Sequence, residues 1–377
     1  MKASDLRCKV YVVGGAVRDV ILKEHPRDFD TIVVPDTQAH VAEIWNFLTN
    51  IYGVPKGEQF PVWITPIGEI ALAGNADGAT TELMEDLKRR DFTINAIAVR
   101  VPNAFLTNQH KSGAEGIVIM IRENWNEDRS RFRALADAYK DITSGHIRLL
   151  PGALRMDPIR AIRAARLKAK FPQLKWLGST IGELNECVLD PNEYPNRINR
   201  EVTKALESPR VSIFFKELSD MGKIYMEYSH CVNRRALELA DHADCPLLRF
   251  ALCTLSLDEH DVKFLQPTNE QMKVFTTINN LWRCYYRPDK PMSALIDMVR
   301  SSGLVFNVDS LFGNVVIETL KLTTPELGWL VIKILDIIEN NRVVTLEDGS
   351  ECPPGREYGE RMADMHVEML EKYLDMD

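Results

Sequence analysis

The stretch Val10–Val34, VYVVGGAVRDVILKEHPRDFDTIVV, constrains the fold more than any other part of the chain. A β-branched run, Val10–Val13, meets a Gly-Gly turn at Gly14–Gly15, and a helical pattern over Ala16–Leu22 then carries Arg18 and Asp19. Asp28 and Asp30 follow at the threshold of a second β-branched run, Thr31–Val34. Side chains at i and i+2 of an extended chain share a face. Asp28 and Asp30 therefore present two carboxylates to one point, a donor set suited to a hard divalent cation. Backbone N–H groups of a glycine turn at a helix start, here around Gly15, suit a phosphate. Alone, Gly-Gly is commonly a tight turn and Asp-x-Asp a solvated loop. Together in one short segment they point to metal-assisted nucleotidyl transfer.

A second constellation lies at Met156–Arg166, MDPIRAIRAAR. Asp157 is placed to cap a helix that Pro158 can open. Arg160, Arg163 and Arg166 then recur every third residue, and each step of three turns the helix by about 60°. The arginines form a slanting stripe whose mutual repulsion stability alone would not select. An anionic ligand such as a triphosphate or an RNA backbone would relieve it. Between the two constellations, Leu83–Val99 (LMEDLKRRDFTINAIAV) brings Lys88-Arg89-Arg90 to the end of an acidic helix. Taken alone, such cations read as a solvated C-terminus offsetting the macrodipole.

The wording GGAVRD…DFD resembles the catalytic signature of the polymerase-beta-like nucleotidyltransferases, and specifically of the class II tRNA nucleotidyltransferase (CCA-adding) and bacterial poly(A) polymerase family. RRDFTINA at Arg89–Ala96 and MDPIRAIRAAR are similar to two further motifs of that family. DAYKDITSGHIR (Asp137–Arg148) and RINREVTKAL (Arg197–Leu206) resemble its connector and neck-helix motifs, and TLEDGSECPPGREYGERMADMHVEMLEKYL (Thr345–Leu374) its tail. The resemblance implies an α+β fold: a small mixed-sheet head followed by all-α neck, body and tail. The boundaries it suggests are 1–140 for the head, with an insertion at about 101–136, then 141–206, 207–300 and 301–377.

The resemblance also implies roles. Mg2+ would sit on Asp28 and Asp30, with Glu69 (in IGEIALA) as third catalytic carboxylate, although a strand-edge solubilising role suits Glu69 as well. Gly15, Arg18, Arg90, Arg163 and Arg166 would meet the nucleotide and its phosphates, while Asp91 and Asn95 serve capping and turn bonds. Asp157 and Arg160 would read the Watson–Crick edge of CTP or ATP. A carboxylate accepts from the exocyclic amine that C and A share, and an arginine donates to the adjacent ring acceptor. U and G place a carbonyl oxygen at the amine position, leaving the carboxylate unpaired. The expected acceptor is tRNA, with no DNA or membrane partner.

Four departures qualify the resemblance. Met156 stands where the family has glutamate. Only GNADGATTE follows Ala73, where relatives carry a longer charged loop that contributes to switching from C to A addition, so a CC-adding specialist competes with full CCA addition. Val101–Ala136 has no clear counterpart and is expected as a surface excursion bearing Arg129, Arg131 and Arg133. RFALCTLSLDEHD (Arg249–Asp261) falls where relatives place a phosphohydrolase motif but lacks its histidines, and no hydrolase activity is expected. A poly(A) polymerase shares the head motifs. An idle RNA-binding protein would have no need of all these residues.

Bulk composition narrows the class. At 377 residues the chain predicts two to four domains. Beyond residue 152 β-branched runs thin out and helical periodicity prevails, as over Pro158–Lys170, Asn199–Leu206, Val211–Met221, Arg234–Ala240 and Met362–Leu374. No apolar run approaches the ~20 residues of a membrane span, and no signal-peptide pattern opens the sequence. Seven scattered cysteines without a CxxC pair read as reduced thiols of a cytoplasmic protein. The net charge of −8 means that any RNA must be held by a local basic patch.

Overall fold

Both β-branched runs are strands, and they pair with each other. The computed structural model describes residues 2–57, 61–75, 78–226, 231–286, 292–341 and 356–374. They group into two compact units, Met1–Arg160 with Gln173–Cys187, and Ala161–Pro172 with Val188–Asp377.

In the first unit, β1 (Cys8–Val13) leads through the glycine turn into α1 (Gly15–Ile21), and β2 (Thr31–Pro35) returns antiparallel with Val10 opposite Val33. A short 3-10 turn (Gln38–His40) and α2 (Val41–Tyr52) follow, and β3 (Val62–Thr65) and β4 (Gly68–Leu72) form a hairpin. A two-residue ladder of β5 (Gly74–Asn75) and β6 (Gly78–Ala79) precedes α3 (Leu83–Lys88) and β7 (Ile97–Val101). Next come α4 (Lys111–Glu127), β8 (Phe132–Ala134), α5 (Ala136–Ser144), β9 (His146–Ile147) and α6 (Ala153–Met156). The start of α7 (Arg160–Lys170), β10 (Lys175–Trp176) and α8 (Gly178–Glu186) complete the unit. The sheet runs β3-β4-β2-β1-β7-β8, antiparallel throughout except between β2 and β4. Val10, Tyr11, Val12 and Val13 are all buried, which accounts for an unbroken apolar run where a half-solvated strand would alternate.

The 101–136 segment corrects the expectation of a surface excursion. Its strand β8 extends the sheet beside β7, and α4 packs on α1. Trp125 meets Phe132 edge-on at 5.3 Å and stacks on Tyr139 at 5.8 Å. Arg129 lies 4.2 Å from the Trp125 ring and donates Nε to the Trp125 carbonyl, while Arg133 donates to the carbonyls of Ser130 and Phe132. Two of the three arginines thus bond the turn's own carbonyls, and Arg129, Arg131 and Arg133 are all exposed.

The second unit is helical. After the remainder of α7 come α9 (Pro195–Leu206), α10 (Val211–Asp220), α11 (Cys231–His242), α12 (Pro246–Thr254) and α13 (Glu259–Phe264). They are followed by α14 (Asn269–Tyr285), α15 (Met292–Ser301), α16 (Leu311–Thr323), α17 (Pro325–Asn340) and α18 (Arg356–Leu374). Local signals set several starts: Thr268 and Gln271 form a capping box on α14, Ser310 caps α16, and prolines open α9, α12 and α17. Within Arg249–Asp261, Asp258 caps α13 and Asp261 accepts from the Tyr225 N–H. Thr345–Gly355 of the tail motif lies outside the described residues. No described helix is long and apolar enough to cross a membrane. Cys8, Cys187, Cys245, Cys253 and Cys284 are free thiols.

His366 on α18 is buried. Its Nδ1 accepts from Arg300 of α15, and its Nε2 donates to the Asn341 carbonyl at 2.8 Å. Burial lowers its pKa below 6.5, the adjacent Arg300 adds to that, and the Asn341 bond opposes it. The native state therefore binds fewer protons than the unfolded chain beneath that value. The contact's stability is present above pH 6.5 and is lost as pH falls through the native pKa. Amide protection factors across α18 should accordingly drop below pH 6.5 in the native protein and become less pH-dependent in His366→Gln.

Candidate active site

Asp28 and Asp30 lie just ahead of β2 on an extended segment that is tied down at both sides. The buried Phe29 donates its N–H to the Ile67 carbonyl at 2.7 Å, and the Asp30 carbonyl accepts from Val13 N–H at 2.9 Å. Gly68, at φ +154°, permits the first approach, since a Cβ there would stand 2.5 Å from the Phe29 carbonyl oxygen. Both aspartates are exposed on either side of the buried Phe29, as i and i+2 geometry requires. In the parallel β2–β4 ladder Thr31 faces Ile70, so one step back brings Glu69 level with Asp30. Glu69 also lies opposite the exposed Ile64. Among the described residues no three carboxylate, imidazole or thiol groups form a metal cluster, and Glu69 lies on the strand beside the pair. Two exposed carboxylates still fit Mg2+, which keeps waters and substrate phosphates as its remaining ligands.

The glycine turn beside them is crowded. Gly14 has φ +70°, and a Cβ there would collide with the Arg90 guanidinium. Arg90 rests against this turn and reaches Asp86 at 3.4 Å. Gly15 opens α1, where first-turn N–H groups have no intrahelical partner. Arg18, expected at the phosphates, is only 8% exposed: it bonds Asp19 at 2.5 Å and Asn95 Oδ1 at 2.5 Å. Asn95 in turn donates to Asp91 at 2.8 Å, and Asp91 also accepts from Phe92 N–H. Arg18 thus braces the turn, and Asp91 and Asn95 serve the turn bonds that their spacing suggested.

The segment is further braced by Asp141, which accepts from Thr93 Oγ1 at 2.6 Å and from Arg148 at 3.0 Å. Both belong to the connector-like motif, and neither was singled out from sequence. Ahead of α7, Asp157 Oδ1 accepts from Ile159 N–H at 3.3 Å as a turn bond, and the helix itself begins at Arg160, not at Pro158 as the sequence suggested. Arg160 donates to the carbonyls of Arg89 at 2.6 Å, Arg90 at 3.2 Å and Ala153 at 3.2 Å, with Asp157 at 4.0 Å. It is bound to the same turn that carries Arg90. Met156 is exposed.

In the second unit, Arg163 and Arg166 are paired from within. Glu201 of α9, only 5% exposed, takes Arg166 Nε at 2.5 Å and Arg163 Nε at 3.3 Å. Burial would raise its pKa, but Arg166 and then Arg163 outweigh that and hold it below the ordinary 4.5. The repulsion along the arginine stripe is therefore relieved by a carboxylate of the chain itself, without a ligand. Glu201 lies within RINREVTKAL, but only the fold identifies it as the partner.

Gly14→Ala should displace Arg90 and strain the turn. Stability should fall by about 1–3 kcal/mol in denaturant titration.

Comparison with known proteins shows what the chain is similar to. Residues 10–117 match the profile described as "Poly A polymerase head domain", a match that runs into the 101–136 segment. The "Multifunctional CCA protein" of Polaromonas naphthalenivorans is 31% identical over 237 residues, 57% of this chain and 50% of that protein. The "CCA-adding enzyme" of Coxiella burnetii (strain RSA 331 / Henzerling II) is 30% identical over 267 residues, 64% of this chain and 62% of that one. The chain thus spans about half to three-fifths of the curated relatives it matches. Among solved structures, the Thermotoga maritima CCA-adding enzyme complexed with tRNA is 19% identical, with TM-score 0.55, covering 98% of this chain and 89% of that one. A tRNA nucleotidyltransferase complexed with a primer tRNA and an incoming ATP analog gives 19% identity and TM-score 0.56, covering 90% and 98%. At such identities these structures show a shared fold. Residues 10–117 are thus similar to a poly(A) polymerase head domain, the chain is similar in sequence to CCA-adding proteins over part of their length, and it shares its fold with the solved structures.

Proposed function

We propose that the chain is a tRNA nucleotidyltransferase that adds C and A from CTP and ATP to the tRNA 3′ end without a nucleic-acid template. The observation that carries this reading is the bond from Val13 N–H to the Asp30 carbonyl, which sets the exposed Asp28–Asp30 pair beside the Gly14 turn and its arginine. Asp28 and Asp30 would hold Mg2+, which when bound supplies Lewis-acid charge at the reacting oxygens. The backbone of the glycine turn and Arg90 neutralise the triphosphate, with Arg18 acting through the turn it braces. Glu69, one strand over, adds negative charge beside the pair.

Asp157 and Arg160 select the base. Arg160's grip on the Arg89 and Arg90 carbonyls ties base reading to the arginine at the phosphates. Arg163 and Arg166 complete the phosphate contacts. No covalent intermediate is required, because positioning and charge supply the barrier reduction.

A second reading, CC addition alone, is favoured by the compact segment after Ala73. There Arg89 binds the Gly74 carbonyl and Gln38 binds the Ala79 carbonyl at 2.6 Å, so both ends of the short ladder are tied.

One assay separates the outcomes. A tRNA lacking its 3′ end is incubated with CTP and ATP, separately and together, and the ends are sequenced. CCA supports the proposal, CC alone the second reading, and an A-tail a poly(A) polymerase. No addition removes the enzymatic reading. Asp28→Ala should abolish incorporation with the fold intact. Asp157→Ala combined with Arg160→Ala should admit UTP and GTP, and unchanged selectivity would remove the protein template.

A further inference from the structure

The run Arg129–Arg133 has no part in the site described above. Arg129, Arg131 and Arg133 are all exposed. In the same unit Arg18, Arg90 and Arg148 each face a carboxylate, at 2.5, 3.4 and 2.9 Å. Among the described residues none of the three exposed arginines is in such a pair. Two of the acids adjoining the run are engaged elsewhere. Asp128 accepts from the Ser130 hydroxyl at 2.7 Å and its N–H at 2.9 Å, and Asp137 pairs with Arg148. The turn is also fixed, since Arg129 lies on Trp125 and Arg133 Nη1 bonds two carbonyls. Arg131 makes no hydrogen bond within the described residues. A fold gains nothing from three unpaired cations held this close, whereas a polyanion would neutralise them.

The register of the sheet relates this edge to the carboxylate pair. Arg133 stands opposite Ala98, and Ala98 opposite Val13. Val12 faces Thr31 in the β1–β2 ladder, so Val13 is level with Asp30, whose carbonyl it bonds. Glu69 continues the row on β4. Residues directly opposite one another point to the same face of a sheet. Glu69, Asp30, Val13, Ala98 and Arg133 therefore form one row on one face. Phe132, the residue before, turns to the other face and packs on Trp125. Charge changes along the row: it is acidic at Glu69 and Asp30, apolar and buried at Val13 and Ala98, and basic at Arg133. A polyanion whose end sits at Asp28 and Asp30 is repelled towards β4 and drawn towards β8. Three steps of ~4.8 Å put Arg133 about 14 Å from Asp30. A stacked strand advances about 3.4 Å per phosphate, so this distance corresponds to about four nucleotides.

We propose that Arg131 and Arg133, at the β8 edge, bind the phosphate backbone of the RNA strand being extended, about four nucleotides from its 3′ end. This rests on the reading of Asp28 and Asp30 as the nucleotidyl-transfer centre, and lengthens that site along the sheet. The contact is to phosphate, so it positions the strand and carries no sequence preference.

The test measures equilibrium binding of a tRNA lacking its 3′ end to the full chain, without nucleotide, over a range of salt concentrations. Arg131→Ala combined with Arg133→Ala should weaken binding about tenfold. The slope of log affinity against log salt should become shallower by about 1.5. Arg131→Lys with Arg133→Lys keeps both charges and should restore most of the affinity and the slope. An uncharged methylphosphonate at the third, fourth or fifth phosphate from the 3′ end should weaken wild-type binding and leave the double alanine variant unaffected.

If the wild-type protein does not bind this RNA, the tRNA reading fails and the proposal fails with it. If it binds and the double variant binds equally well with the same slope, the proposal alone is overturned, and the patch is left to an acidic protein. Weakening that is independent of which phosphate is neutralised would overturn it too. Thermal unfolding is followed in parallel. Should the double variant not fold, Arg131→Ala removes no hydrogen bond of the described fold. It should by itself make the slope shallower by about 0.8, and an unchanged slope would overturn the proposal.

Discussion

The hydrogen bond from Val13 N–H to the Asp30 carbonyl is where the head is decided. It closes the β1–β2 ladder at the residue before the glycine turn. That one contact forces the carboxylate segment and the turn to lie side by side. Gly14 then hydrogen-bonds the Ile97 carbonyl at 2.9 Å, so β7 and the residues leading into it are fixed against the same corner. Arg90, Asn95 and Arg18 meet there because three strands end together. The apolar runs around this corner help hold it in place, since Val10, Tyr11, Val12 and Val13 are all buried.

Charge is handled in pairs throughout. Arg18 has Asp19, Arg90 has Asp86, Arg148 has Asp137 and Asp141, and Arg163 with Arg166 has Glu201. Most of these acids are partly or wholly buried, so their role is to set side-chain direction more than to shape the outer field. This bears on the chain's net charge of −8. The five acids named meet five arginines, so these pairs cancel and the excess of −8 resides in the other acids.

Much of the head was legible beforehand because the signals were local. Strand runs, the Gly-Gly turn and the i, i+2 spacing of Asp28 and Asp30 each depend on neighbours within a few residues. The same holds for the helical second half. The 101–136 segment failed for the opposite reason. Phe132–Ala134 is too short to announce a strand, and only pairing with β7 makes it one. Arg129, Arg131 and Arg133 are exposed, and what the sequence does not show is Trp125 lying beneath Arg129.

The amino-acid order by itself determined which chemical groups the protein has and the local frame of each: carboxylates on one side of an extended segment, a turn that admits only glycine at Gly14, arginines at a regular helical step. The tertiary structure decided what those groups face. Arg18 turned inward to Asn95, Arg160 took the carbonyls of Arg89 and Arg90, and Arg163 and Arg166 found Glu201 on another helix. Hydrogen-bonding groups must be matched once water is removed, and which partner is within reach depends on residues far apart in the chain.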